Sequence, residues 1–125
     1  MPNASTFSRT IVGREVDVFA RLIKLKPGSA ERVREWAATM NARKAEAEAT
    51  LVNERVDVES WFSITLNGED YLMSYIRAES MEEAQRIAAQ SAHPIDSIHQ
   101  QFKADAWVRG GGAVGTLLLD LSRRR

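Results

Sequence analysis

The sequence predicts an α+β domain, a ferredoxin-like split β-α-β with a four-stranded antiparallel sheet and helices on one face. Three observations point there. Two β-rich runs within residues 56–78, VDVESWFSITLNGEDYLMSYIRA, flank Asn67-Gly68, and that dipeptide supplies the positive φ angles of a tight antiparallel turn. Ahead of them a β-branched stretch stops at Lys26-Pro27-Gly28 and gives way to helical spacing. Behind them Ser80 and Glu83 form a capping box, in which serine caps the helix and the glutamate three residues later reaches back.

Residues 1–14 are polar and without periodicity, so a flexible or weakly docked arm is expected before a single domain over 15–122 and a basic tail at 123–125. The first strand spans 16–25, VDVFARLIKL, with Asp17, Arg21 and Lys24 interrupting its apolar run. Val33, Trp36, Ala37, Met40, Ala47 and Leu51 recur at helical spacing, predicting one long helix over about 30–51 with Trp36 as a core residue. The capped helix then runs from Ser80 to about Ala92, where His93-Pro94 interrupts it. Ser97 and Gln100 suggest a further helix from about 96 to 109, its buried stripe being Ile95, Ile98, Phe102 and Ala106 with His99 beside it. Gly110-Gly111-Gly112 makes a turn, and AVGTLLLDLS reads as the last strand.

The hairpin leaves two registers open, and a one-residue slip turns a whole strand over. A two-residue loop at Asn67-Gly68 places Glu59 and Trp61 with Leu72, Ser74 and Ile76, and Val58, Phe62 and Ile64 with Tyr71, Tyr75 and Arg77, mixing both faces. A three-residue or bulged loop gathers Val56, Val58, Phe62, Ile64, Leu66, Leu72 and Ile76 on one side. The other side then holds Glu59, Trp61, Ser63, Thr65, Tyr71, Met73, Tyr75 and Arg77. The second register is expected, because it segregates an apolar face for helices from an aromatic, polar face suited to a cavity or subunit interface.

Seventeen basic residues balance seventeen acidic ones in 125 residues, so no broad field gathers phosphates and a nucleic-acid partner is not expected. Cysteine is absent, which excludes disulfides, thiolate metal sites and thiol catalysis. No apolar run approaches the roughly 20 residues needed to span a bilayer, and MPNASTFSRT lacks a signal-peptide core. A cytoplasmic protein without a membrane partner is expected.

The sheet face left uncovered by helices is economically closed by a twofold homodimer. On this frame, VFARLIKLKPGSAERVREWAATM, with its Lys-Pro-Gly turn and Trp36, resembles the dimeric α/β-barrel superfamily that contains antibiotic-biosynthesis monooxygenases. VESWFSITLNGEDYLMSYI followed by DSIHQQF is similar to an uncharacterised branch of it. The resemblance spans about 16–121 and implies a homodimer with a cavity between sheet and helices in each subunit. Superfamily members oxidise polyketide quinones without cofactor, degrade haem, transform small organic acids or cyclise polyketides.

His93 and His99 are the only side chains that titrate near neutrality unperturbed, so they are the first candidates for general acid or base, packing or capping being the alternative. Glu59 is a candidate proton acceptor and Arg77 a holder of a carboxylate or enolate, unless the two form a cross-strand ion pair. Tyr71 and Tyr75 are candidate hydrogen-bond donors, and Trp61, Met73 and Trp107 candidate walls for a planar ligand. Metal-ligand spacing, a phosphate-cradling glycine loop and a nucleophile elbow are all lacking. The expected function is a cofactor-independent enzyme of small-molecule or secondary, polyketide-like metabolism, binding an apolar or aromatic substrate for cyclisation, isomerisation or oxygenation. A non-catalytic ligand-binding or accessory homodimer, or a haem protein with His93 or His99 as axial ligand, are the alternatives.

Overall fold

The computed structural model describes residues 8–12 and 14–123. In order the elements are β1 (Ser8–Val12), β2 (Arg14–Lys24), α1 (Ala30–Ala42), α2 (Lys44–Glu54), β3 (Val56–Leu66), β4 (Glu69–Ala78), α3 (Met81–Gln90), α4 (Pro94–Ala106) and β5 (Ala113–Val114). The antiparallel sheet has the order β1-β2-β4-β3, and β5 joins the β2 edge. Leaving β1 aside, this is the ferredoxin-like split β-α-β: the first strand and the second strand of the hairpin lie side by side at the centre, and the helices pack on one face.

The hairpin register corrects the expectation. Asn67 (φ 53°) and Gly68 (φ 75°) form a two-residue turn with both central residues left-handed, the geometry whose twist matches the flanking strands. Trp61 therefore pairs with Ser74, Phe62 with Met73 and Ile64 with Tyr71. Glu59 and Trp61 face the helices with Leu72, Ser74 and Ile76, while Tyr71, Met73, Tyr75 and Arg77 lie on the opposite, outer face with Val58, Phe62 and Leu66. A bulge between Val56 and Val58 re-phases the start of β3, so Val56 also turns inward and is buried opposite Ala78. One strand thus sends both Val56 and Glu59 to the helix side, which strict alternation forbids.

Three further boundaries differ from expectation. The long helix is broken at Arg43 (φ −113°, ψ 34°), although ARKAEAEA is a strong helix former; the break sets α2 so that Thr50 and Glu54 are buried. α4 starts at Pro94 rather than near Asp96. His93 is its cap, with Nδ1 accepting from the Ile95 amide at 3.2 Å, and proline suits a first helical position because its missing N–H would be unpaired there. The last strand is only Ala113–Val114, because β1 already pairs with β2 from Arg14 to Val18 and leaves little free edge. Beyond it the Gly115 amide donates to Ala20 O at 2.8 Å, and Asp120 accepts two hydrogen bonds from Arg77 at 2.8 and 3.1 Å, pinning the segment against the outer face. Gly112 is demanded by this approach, since a Cβ there would lie 1.9 Å from Leu22 O.

The residues 8–12 of the expected arm are strand β1, while the remainder of the arm up to Phe7 and the final two arginines lie outside the described residues. Two apolar clusters hold the helices down. Ile23, Leu25, Trp36, Leu72, Phe102 and Ala106 form one, and Phe19, Val56, Ala78, Met81 and Ala84 the other. Ser80 caps α3 as expected, its Oγ accepting from the Glu83 amide at 3.1 Å, while the Glu83 carboxylate accepts from Arg86 one turn on. The buried Asp17 adds to that cap, accepting from the Met81 amide at 2.8 Å.

Candidate functional site

Between the two clusters the helices do not close on the sheet, and a cavity of about 630 Å³ opens there, within the usual range for small-molecule sites. Its floor is the helix-facing side of the sheet. Arg21 on β2 lies opposite Ser74 on β4, which lies opposite Trp61 on β3, one continuous cross-strand row. Phe19, Ile76 and Glu59 form the next row. α1 contributes Trp36, α2 Glu54, and α4 Asp96, His99 and Lys103.

Aromatic rings form one wall. The Trp36 ring stacks on Phe102 at 4.4 Å between centroids and on His99 at 5.6 Å, and Trp61 stands edge-on to Trp36 at 5.5 Å and to His99 at 5.4 Å. The polar edges are tied in sequence. Trp36 Nε1 donates to His99 Nδ1 at 3.1 Å, and Trp61 Nε1 donates to Glu59 Oε2 at 2.8 Å. Accepting through Nδ1 leaves the neutral imidazole proton on Nε2. Burial pushes His99 down to about 3, with the Lys103 charge adding to the effect, so His99 is neutral at physiological pH and is a hydrogen-bond donor rather than a base.

Glu54 is poised near neutrality. It is buried at the C-terminal end of α2, where unpaired carbonyls already disfavour a negative charge. Burial first, then Asp96 and Glu59, push it up to about 7, with Lys103 opposing. Lys103 is itself held below the ordinary lysine range by burial and by the Arg21 charge, against the pull of Glu59, Glu54 and Asp96. A second cavity of about 690 Å³, walled by Trp107 and the glycine turn, shares Arg21, Gln100 and Lys103 with the first.

The structure thus brings His99, Glu59 and Trp61 to the first cavity and Trp107 to the second. His93 lines neither, its Nδ1 being committed to the α4 cap. Tyr71, Met73, Tyr75 and Arg77 are on the far side of the sheet, where Arg77 donates to Tyr75 Oη at 3.0 Å and binds Asp120 rather than Glu59. Glu54, Arg21, Ser74, Asp96 and Lys103 were not expected as site residues. A signal existed for two of them: Arg21 alternates with Phe19 and Ile23, and Lys103 follows His99 by four residues on the buried stripe of α4.

Among the described residues no cluster of histidine and carboxylate side chains is arranged to hold a metal ion, and no helix is long and apolar enough to cross a membrane. No curated protein and no solved structure matches the chain. Residues 16–122 match a family of unknown function, DUF6176, a span that runs from within β2 past the Arg77–Asp120 clasp and leaves out β1; the chain belongs to that family.

Proposed function

We propose that the protein is a cofactor-independent enzyme of small-molecule or secondary, polyketide-like metabolism, acting in the cytoplasm on a planar aromatic substrate held in the cavity. The carrying observation is a cavity of about 630 Å³ whose wall combines Trp36 and Trp61 with the buried carboxylate of Glu54 and a neutral histidine. A carboxylate with pKa near 7 is suited to both halves of a proton transfer at neutral pH. Glu54 takes a proton from a carbon between a substrate carbonyl and a C=C bond, the C–H electron pair becomes a new C=C bond as the carbonyl π pair moves to oxygen, and protonated Glu54 returns the proton at the far carbon of the conjugated enolate. That sequence is an isomerisation; attack of the carbanion on a second carbonyl is a cyclisation, and its reaction with dioxygen an oxygenation. His99 donates to the carbonyl through Nε2. The resemblance to the dimeric α/β-barrel superfamily supports the same placement of the site.

The test uses 2-tetralone, an aromatic ketone with exchangeable protons, in deuterium oxide followed by proton NMR. The protein should accelerate exchange with a midpoint near pH 7, and Glu54→Gln should lose roughly 100-fold or more of that acceleration. Equal rates for the two proteins would remove Glu54 from the mechanism.

The outer face supports a homodimer. Phe62 and Leu66 on β3 and Leu118, Leu119 and Leu121 in the C-terminal segment are all exposed, and large apolar side chains left in water favour burial against a second copy. Light scattering at micromolar concentration should give twice the chain mass, and Phe62→Glu should give the monomer. A monomeric wild type would rule the dimer out.

A further inference from the structure

The cavity contains a positively charged end that no ion pair among the described residues neutralises. Arg21 and Ser74 face each other across β2 and β4. Ser74 is 1 % exposed, and neither its Oγ nor Arg21 Nε has a hydrogen-bond partner among the described residues. A buried polar group left unpaired costs roughly 1–3 kcal/mol, so two on adjacent positions mark a place where a ligand completes the bonding. Lys103 reaches the same end from α4. The Lys103 ammonium and the Arg21 guanidinium each lie 5.0 Å from the Trp107 ring centroid, and none of the ion pairs among the described residues includes either cation. Glu54, Glu59 and Asp96 act on Lys103 only at longer range. Two like charges brought together in a partly dry site repel each other until an anion sits between them.

Building on the reading of the cavity as a substrate site, we propose that the Arg21–Ser74–Lys103 end binds the carboxylate of a planar aromatic acid, whose ring lies against Trp36 and Trp61. The guanidinium and ammonium supply charge, and the Ser74 hydroxyl and Arg21 Nε–H donate to the carboxylate oxygens. The substrate class narrows from aromatic compounds in general to aromatic carboxylates, with the reacting carbon directed toward Glu54.

Isothermal titration of 1-naphthoate and of its neutral analogue 1-naphthamide tests this on the full chain. Naphthoate should bind at least 10-fold more tightly than naphthamide. Lys103→Met and Arg21→Met should each lose about 10-fold for naphthoate with naphthamide unchanged, and Lys103→Arg should retain most of the affinity. Circular dichroism of each variant verifies the fold, and Ser74→Ala, which removes only a hydroxyl, should weaken naphthoate alone. Equal affinity for the two ligands would overturn the carboxylate site while leaving an aromatic cavity, and so would a naphthoate preference that survives all the substitutions. Failure of both ligands to bind would overturn the cavity reading with it.

Discussion

Acidification from pH 6.5 to 3 is expected to remove up to about 4 kcal/mol of folding stability through His99 alone. The imidazole is partly buried and packed against Trp36 and Trp61, and its pKa falls from 6.5 to about 3 in the folded protein. The unfolded chain therefore binds a proton below pH 6.5 that the native state refuses, so the stability present above 6.5 is lost progressively as the pH falls toward 3. His99→Gln keeps an acceptor for Trp36 Nε1 and has no charge to gain. Urea unfolding of the two proteins at pH 8 and pH 4 should show a much shallower acid loss for the variant; the same loss in both would mean that the imidazole is not kept neutral by its surroundings.

Glu54 imposes the opposite limb. Its pKa rises from 4.5 to about 7 on folding, chiefly through burial, so below pH 4.5 it is protonated in both states and costs nothing. Between 4.5 and 7 the unfolded chain ionises first, and above 7 folding carries the whole penalty, at most about 3 kcal/mol. Glu54→Gln should accordingly raise stability at pH 8 by up to that amount and change it little at pH 4, as read from denaturant midpoints with unchanged slopes. A variant equally stable or less stable at pH 8 would refute the buried-charge reading. The same substitution is expected to lose roughly 100-fold or more of the acceleration of proton exchange, a trade of stability for activity common where a site holds a charge away from water.

The site was partly legible in the sequence. His99 was found because its offset from Ile95 and Phe102 marks it as lying beside a helix stripe, whereas Trp61 was named for its aromatic ring on the face opposite the helices and reaches the cavity only through the observed register. Tyr71, Met73, Tyr75 and Arg77 were assigned to the same surface because the register was chosen by segregating apolar from polar residues. That criterion presumes a dry helix side. Here the helix side is a cavity floor carrying Arg21, Ser74 and Glu59 among apolar residues, and a bulge at Asp57 lets Val56 turn inward as well. The local turn chemistry of Asn67-Gly68 carried the better information, since two left-handed residues in succession specify a two-residue loop whatever the faces contain.

By itself the sequence determined the elements set by local chemistry: the Asn67-Gly68 hairpin, the Ser80 cap, the turn at Lys26-Pro27-Gly28, and hence the order of strands and helices that makes a ferredoxin-like sheet. Only the tertiary structure decided which groups became chemistry. Glu54 is an ordinary helix-end glutamate until α2 bends at Arg43 and buries it, and Arg21 and Lys103, 82 residues apart in the numbering, become neighbours only when α4 crosses β2. The difference is physical: caps and turns act over three or four residues, whereas burial and charge proximity are properties of surfaces that the chain brings together from distant positions.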